Sequence, residues 1–257
     1  MNENFINIKV GREENPDVDQ AYMTASQLMT GMGGWPLNVI TLPDGSPIYA
    51  GTYHTTSQWD DILKRIIRLK KDNYDGLKEL AKNVKSGVTD VNTIYKREEI
   101  GDFSPEFLDN NIESWKDKWD IKFGGDLAQQ KFVSPSKYIF LLNYARVYDD
   151  DEVFNHVKKT LDIISNSGLN DFIEGGFYRY TVDSEWKIPH FEKMLYDQAQ
   201  MISMYSQAYK LYKDEFYRDI VIETINFLNS NMSSEDGLYY AAMDADTDGE
   251  EGKYYSF

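Results

Sequence analysis

Side chains able to carry polar chemistry are densest between Gly175 and Ala199. Imidazole, carboxylate and ammonium groups can move protons to and from a substrate, and aromatic rings can line a ligand pocket. All of these types occur in the stretch, as Arg179, Tyr180, Asp183, Glu185, Trp186, His190, Glu192, Lys193, Tyr196 and Asp197. It is therefore the first candidate for a functional site.

A helix over residues 189–212 is predicted to position these groups. Pro189 suits its first position, because the missing N–H would have no intrahelical partner there. On that helix His190, Lys193 and Asp197 share one face. The helix dipole disfavours extra positive charge at this end, so we expect His190 to be neutral and usable as a general base.

A structural role for the same charges is the alternative. Charged residues on a helix face often only solvate that face or pair with a neighbouring helix. Here apolar residues are interleaved with the charges, namely Phe191, Met194, Leu195 and Met201. Ionisable groups set among apolar ones are where pKa values are tuned, which favours a functional site while the structural role stays open.

Composition limits the classes of protein to consider. The 257 residues are 41% apolar and 14% aromatic, enough to bury the core of one large or two ordinary domains. A net charge of −16 argues against nucleic-acid partners and anionic membranes. No cysteine is present, which excludes thiol catalysis, and the chain shows neither a membrane-spanning apolar run nor a secretory signal pattern. We expect a cytoplasmic protein.

The first part of the chain alternates short strand and helix patterns. Strands are predicted over residues 5–10, 37–42 and 47–53, and helices over 18–30 and 57–71. This order, with Trp35-Pro36 before the second strand, looks like the C-terminal two thirds of a thioredoxin fold. In that fold a cis-proline at this point faces the redox motif, so Pro36 is the candidate; an ordinary trans-proline is the alternative.

From residue 104 onward the pattern changes to paired amphipathic helices. Ser104 and Ser134 are each followed by proline, which is typical of a helix cap and first turn. Loops rich in glycine and aromatic residues separate the pairs, and no close internal repeat is visible. The pattern favours an array of α/α hairpins with its loops on one face. The helices are predicted over residues 104–119, 134–148, 150–167, 189–212 and 215–232.

The last loop is acidic. Asp244, Asp246, Asp248 and Gly249 match the start of an EF-hand calcium loop. The twelfth position is Tyr255, however, where the bidentate glutamate should stand, so we predict no metal site and no cofactor. Another cation contact, a contact to sugar hydroxyls and a solvated turn stay open as alternatives.

The chain resembles the thioredoxin-domain-containing family of spermatogenesis-associated protein 20 over nearly its whole length. The matching stretches are NENFINIKVGREENPDVD, MTGMGGWPLNVITLPDGSPIYAGTY, GGFYRYTVDSEWKIPHFEKMLYDQA and MDADTDGEEGKYY. The resemblance implies an incomplete thioredoxin-like α/β domain at residues 1–71, a helical connector at 72–102 and, at 103–257, part of an all-α α/α toroid of the six-hairpin glycosidase-like type.

Full-length members of that family carry a CHWCH-like segment ahead of the position equivalent to residues 5–10. This chain starts after that segment and stops partway round the expected toroid. We therefore expect a fragment that lacks the redox helix and several closing hairpins. Because each hairpin of such an array buries its face on the next, uncovered helix faces predict possible self-association.

The resemblance, taken with the side-chain chemistry, implies a carbohydrate-active or carbohydrate-binding parent protein. Proton transfer at a sugar carbon or glycosidic oxygen needs a base and an acid held apart. His190 is the base candidate, Glu192 or Asp246 the acid, and Lys193 an electrostatic clamp beside Arg179. The predicted contacts to a saccharide are Arg179, Tyr180, Asp183, Trp186, Tyr196, Asp197, Asp244 and Glu250.

Two rival hypotheses remain. The parent could instead be a thiol-redox or protein-quality-control factor that uses the toroid as a binding platform. In that case the His, Glu and Lys cluster is structural, and this chain is redox-inactive because it has no thiol. A chain without activity of its own is the third possibility.

Overall fold

The computed structural model describes residues 1–95 and 104–255. Two compact units divide the chain, Met1–Gly101 and Asp102–Phe257, and each is described separately below. Within the described residues, no helix combines the length and the apolar character that a membrane crossing would need.

The first unit combines three helices with one β-hairpin. Its elements are α1 (Pro16–Thr30), β1 (Asn38–Thr41), β2 (Pro47–Gly51), α2 (Thr56–Asp72) and α3 (Tyr74–Asn92). Local sequence explains the helix ends: proline stands in the first turn of α1, Gly31 ends α1 in the left-handed region, and Thr55 with Gln58 forms a capping box on α2. The Trp35–Pro36 peptide bond is cis.

The core of the first unit lies between the hairpin and its helices. Ile40 and Ile48 of the hairpin pack with Leu63, Ile66, Leu77 and Ala81 of α2 and α3. Helix α3 contacts both α1 and β2. It continues through Gly76 and Gly87: the side chain of Asn73 accepts a hydrogen bond from the Gly76 N–H at its start, and Leu77, Ala81 and Val84 are buried.

The predicted strand over residues 5–10 is wrong. These residues carry no strand pairing, and Ile6 and Ile8 are 92% and 79% exposed. Alternation of apolar residues makes a strand only where a neighbouring strand takes up the backbone hydrogen bonds. The described sheet of this unit contains β1 and β2 alone, paired antiparallel from Asn38 opposite Gly51.

The second unit is built from helix pairs joined by two-residue connections. Its helices are α4 (Pro105–Lys116), α5 (Pro135–Tyr148), α6 (Asp151–Ser165), α7 (Leu195–Tyr212) and α8 (Glu215–Phe227), the last continued by a π-helical turn, Leu228–Met232. The connections after α5 and α7 share one geometry. Asp149 and Lys213 take the left-handed conformation, and the next residue, Asp150 or Asp214, caps the following helix.

The core of this unit lies where α5, α6, α7 and α8 meet. Its fully buried members include Leu141, Val157, Leu161, Tyr205 and Ala208. Short strands join the helix pairs: β3 (Lys131–Phe132), β4 (Tyr180–Thr181), β5 (Pro189–His190), β6 (Lys193–Met194), β7 (Ala242–Met243), β8 (Asp246–Thr247) and β9 (Glu250–Glu251). The α/β unit followed by paired helices agrees with the predicted fold class.

The helix predicted over residues 189–212 begins later, at Leu195. Residues 189–190 instead form β5, an edge strand paired with β4, and residues 193–194 form β6, paired with β7. Proline is as compatible with an edge strand as with a first helical turn, because neither position needs its N–H. The shared helix face predicted for His190, Lys193 and Asp197 therefore does not exist.

Candidate functional site

Three aromatic rings stand side by side on the sheet β3-β4-β5. The register places Phe132 opposite Tyr180, and Tyr180 opposite His190. The ring centroids of Phe132 and Tyr180 are 4.4 Å apart, those of Tyr180 and His190 are 4.8 Å apart, and both pairs are stacked. We call these three residues the aromatic column. Phe132, at the edge of the sheet, is 53% exposed, so the column reaches solvent.

The turn between β4 and β5 fixes the position of the column. Asp183 accepts backbone hydrogen bonds from Glu185, Lys187 and Ile188 at 2.6 to 3.2 Å. Trp186 takes a left-handed conformation, is 1% exposed, and donates its indole N–H to the Phe123 carbonyl. Asp183 and Trp186, predicted to contact a substrate, thus serve the turn and the core.

His190 is held between carboxylates. Its Nδ1 lies 2.6 Å from Oε1 of Glu251, and its Nε2 lies 3.9 Å from Oε2 of Glu192. Glu192 is also bonded to the Arg179 guanidinium at 2.6 Å. If Nδ1–H donates to Glu251, Nε2 keeps its lone pair and can accept a proton from a ligand.

Asp197 lies in the first turn of α7, and its Oδ2 is buried without a hydrogen-bond partner among the described residues. Burial raises the pKa of Asp197 to about 6, against an opposing effect of Arg179 and with a further increase from Glu192. A carboxyl group with this pKa can hold a proton in mildly acidic solution and release it near neutral pH. Asp197 is thereby suited to act as an acid, and the charges that act on it, Arg179 and Glu192, are those of the pair that borders His190.

Lys193 lies elsewhere. Its ammonium group is fully buried, 2.6 Å from Oδ2 of Asp171, and it also donates to the Gly175 carbonyl at 3.0 Å. Burial alone would raise the pKa of Asp171, but the bonds from Lys193 and from two backbone N–H groups lower it, so the pair is ionic. The structure does not bring Lys193 together with the column.

A second buried pair repeats this geometry, a repeat that the sequence analysis missed. Lys131 donates to Asp120 Oδ2 at 2.6 Å and to the Gly124 carbonyl at 2.7 Å. Two glycines with positive φ stand four and five residues after Asp120, and two more stand at the same spacing after Asp171. Each of these carboxylates also accepts hydrogen bonds from the backbone N–H groups two and three residues later in the chain. The common signal is D-x-x-x-G-G with a later lysine. We call these segments the anchored loops, residues 120–125 and 171–176.

Each anchored loop is bonded to a lysine that neighbours a residue of the candidate site in sequence. Lys131 is followed in β3 by Phe132 of the column, and Lys193 is preceded by Glu192, which faces His190. Each buried lysine therefore fixes the backbone next to a residue of the site. The glycines that end these loops are required. In the second loop, a Cβ on Gly176 would lie 2.6 Å from the Phe227 ring.

The acidic loop forms the hairpin β8–β9, in which Asp246 lies opposite Glu251. Asp248 and Gly249 make its turn with positive φ, and Asp244, Asp246 and Glu250 are exposed. We call residues 244–251 the acidic hairpin. It meets the column through the Glu251–His190 contact. Over the described residues, no group of three or more His, Cys, Asp or Glu could hold a metal ion.

Two residues of the site carry no predicted role. Phe132 follows a lysine in a two-residue strand, too short for any periodicity, and Glu251 reaches His190 across 61 residues of sequence. The predicted contact Tyr196 is 39% exposed on α7.

A cavity of about 460 Å³ lies beside the end of α6, lined by Asp162, Ile163, Asn166, Ser167, Gly168, Glu185, Trp186 and Lys187, none of which belongs to the column.

Comparison with known proteins gives one family match. Residues 1–89 match the family Thioredox_DsbH, described as a protein of unknown function, DUF255. This match and the observed elements confirm the predicted fold class.

Spermatogenesis-associated protein 20 of Homo sapiens is 34% identical over 264 residues, covering 98% of this chain and 34% of the relative. An uncharacterized protein of Caenorhabditis elegans is 36% identical, covering 96% of this chain and 35% of its own. The chain thus spans about a third of the length of these relatives.

Solved structures give weaker likenesses. A sugar epimerase from a ruminal bacterium is 24% identical with a TM-score of 0.47, covering 52% of this chain and 37% of its own. Cellobiose 2-epimerase of Spirochaeta thermophila is 16% identical with a TM-score of 0.46, covering 52% and 36%. A heparin-specific unsaturated glucuronyl hydrolase is 12% identical with a TM-score of 0.46, covering 90% and 72%.

Proposed function

We propose that this chain, which belongs to the family of spermatogenesis-associated protein 20, carries a saccharide-binding surface on its second unit and can move a proton there through His190. A protein of the relatives' length, of which the chain spans about a third, is then carbohydrate-active or carbohydrate-binding. The observation that carries the proposal is the aromatic column, open at Phe132 and bounded at His190 by carboxylates.

The mixture of groups suits a sugar ring. Binding sites for small molecules combine apolar aromatic surface with a few placed polar groups. The column supplies the aromatic surface, on which the C–H face of a pyranose can lie. Arg179 can donate to a sugar hydroxyl, and Glu192 and Glu251 can accept from one, since all three side chains are at least partly exposed.

Proton transfer in this site divides between two groups. His190 Nε2 accepts a proton from the ligand, while the Nδ1 bond to Glu251 orients the ring and stabilises the imidazolium that forms. Asp197, which holds its own proton up to a pH of about 6, supplies the acid. Abstraction at a sugar carbon and protonation of a glycosidic oxygen are the two reactions that such a pair supports.

Calorimetric titration of the chain with a panel of neutral and charged mono- and disaccharides tests the proposal. Phe132→Ala should weaken binding by about 2- to 10-fold, because an aromatic contact is worth about 0.5–1.5 kcal/mol. Phe172→Ala is the matched control, since Phe172 is also an exposed ring of the second unit but lies outside the column. The proposal is wrong if no saccharide binds, or if both variants bind alike.

Turnover is tested on the full-length protein, with His190→Ala and Glu192→Ala. Both should abolish or strongly reduce saccharide turnover, by about 100-fold or more for the general base. Unchanged binding and unchanged turnover in both variants would remove these residues from the site.

A second candidate draws support from the family match over residues 1–89. The full-length protein would then be a thiol-redox or protein-quality-control factor, with the second unit as a binding platform. These 257 residues contain no cysteine, so the chemistry would belong to another part of the protein. A reductase activity of the full-length protein that survives His190→Ala, without any saccharide binding, would favour this candidate.

A further inference from the structure

We infer that the surface formed by the aromatic column and the acidic hairpin selects saccharides that carry a free amine, as unacetylated hexosamines and their oligomers do. The inference rests on the proposed saccharide-binding function and adds a charge to its ligand. Its basis is the imbalance of charge around an exposed aromatic surface.

Carboxylates outnumber cations around the column. Glu192 and Glu251 flank His190, and Asp246 lies opposite Glu251 in the acidic hairpin. The nearby cation Arg179 is already bonded to Glu192 at 2.6 Å. Lys253 lies 3.4 Å from Asp248 and 3.5 Å from Glu250, on the turn side of the hairpin. Within the described residues, Asp244 and Asp246 have no lysine or arginine at ion-pair distance.

The excess negative charge reaches the column itself. Burial raises the pKa of Tyr180, and the charge of Glu251 raises it further, against the opposite effect of Arg179. A negative site of this kind repels sugar acids and sugar phosphates. It strengthens the binding of an ammonium group by about 5-fold per charge at 4 Å in water, and by more where solvent is partly displaced.

The aromatic surface favours the same ligand. A cation near the face of an aromatic ring at an exposed site binds about 2- to 5-fold more tightly than a neutral group. Phe132 stacks on Tyr180 and is still 53% exposed, which leaves ring surface for a ligand. The open ring of Phe132 and the carboxylates at His190 lie at opposite ends of the column, two ring spacings of 4.4 and 4.8 Å apart. An oligomer with an amine on each sugar ring can therefore meet both, whereas a hydroxyl or acetamide gains neither attraction.

Three disaccharides that differ only in the substituent at C2 isolate this effect: chitobiose with free amines, cellobiose with hydroxyls and diacetylchitobiose with acetamides. Calorimetric titration of the whole chain at pH 6.5 and low salt should show chitobiose binding at least 10-fold more tightly than the other two. Because exposed charges are screened by salt, the preference should shrink towards unity at 0.5 M NaCl.

Charge-neutral variants locate the source of the preference. Glu251→Gln and Asp246→Asn should each reduce the preference for chitobiose over cellobiose by about 2- to 5-fold. Glu235→Gln is the control, since Glu235 is an exposed acid of the same unit outside the hairpin. Equal binding of chitobiose and cellobiose overturns this inference but leaves the proposed function standing. Binding of none of the three removes both, and a preference that both variants retain also overturns the inference.

Discussion

Lys193 and His190 lie three residues apart in sequence, yet they belong to different parts of the molecule. The Lys193 ammonium is fully buried against Asp171, whereas the side chains of His190 and its partner Glu251 are 24% and 49% exposed. The Lys193–Asp171 ion pair holds an anchored loop in place, and the His190–Glu251 hydrogen bond faces solvent at one end of the aromatic column. A dense run of charged residues in sequence can thus contain both a structural element and a candidate site.

The buried pair should show the largest effect on stability. Lys193→Met leaves the Asp171 carboxylate buried without its cation, which costs about 3–5 kcal/mol of unfolding free energy. Urea unfolding followed by circular dichroism measures the loss. Lys187→Met is the control, because the Lys187–Glu185 pair is solvent-exposed and its removal should leave stability essentially unchanged.

Two further outcomes separate charge from packing at this pair. Adding Asp171→Asn to Lys193→Met should recover part of the loss, because the amide oxygen can still accept from the Ile173 and Glu174 N–H groups. A loss below about 1 kcal/mol in the single variant would contradict the structural role of Lys193 and return it to the candidate site.

The first anchored loop can be tested in the same way, and the expected loss of stability is slightly smaller. Lys131→Met should destabilise by about 3 kcal/mol, since Asp120 is slightly more exposed than Asp171 and can recruit water more readily. Urea unfolding followed by intrinsic tryptophan fluorescence measures the loss, and Trp186 contributes to that signal with the Lys131 ammonium 5.4 Å from its ring centroid. If Lys131→Met lowers the unfolding free energy no more than a surface substitution does, the two loops share a backbone conformation but their ion pairs do not contribute equally to stability.

The sequence predicts elements better than it predicts which side chains meet. Proline or a capping residue marks the starts of α1, α2 and α5, and all three lie within two residues of their predicted starts. Pro189 fails as a signal because an edge strand accepts it as readily as a helix, and pairing with β4 decides between them. The contact between His190 and Glu251 depends on that pairing and on the acidic hairpin, which no local pattern encodes.

Asp197 should give the protein a pH-dependent stability. Its pKa is about 6 in the folded chain and near 3.8 ordinarily, so the folded state binds the proton more tightly. The stabilisation is complete below about pH 4 and is lost as the pH rises through about 6. Between pH 4 and pH 7 the unfolding free energy of the unaltered protein should therefore fall by about 1 kcal/mol more than that of Asp197→Asn. This figure is smaller than the full pKa difference implies, because Asp197 is partly exposed to solvent. Identical pH profiles of the two proteins would place the Asp197 carboxyl in solvent.

Glu251 should show the smallest effect on stability and a clear effect on the site. Glu251→Gln removes a charge from a pair that solvent already screens, so the unfolding free energy should change by less than about 1 kcal/mol. The ring signals of His190 in two-dimensional NMR spectra at constant pH should move, because the carboxylate 2.6 Å from its Nδ1 becomes a neutral amide. His156 is the internal reference, because its ring stacks on Trp119 and does not contact Glu251. A shift of both histidines would point to a change of the fold, and a shift of neither would separate Glu251 from His190 in solution.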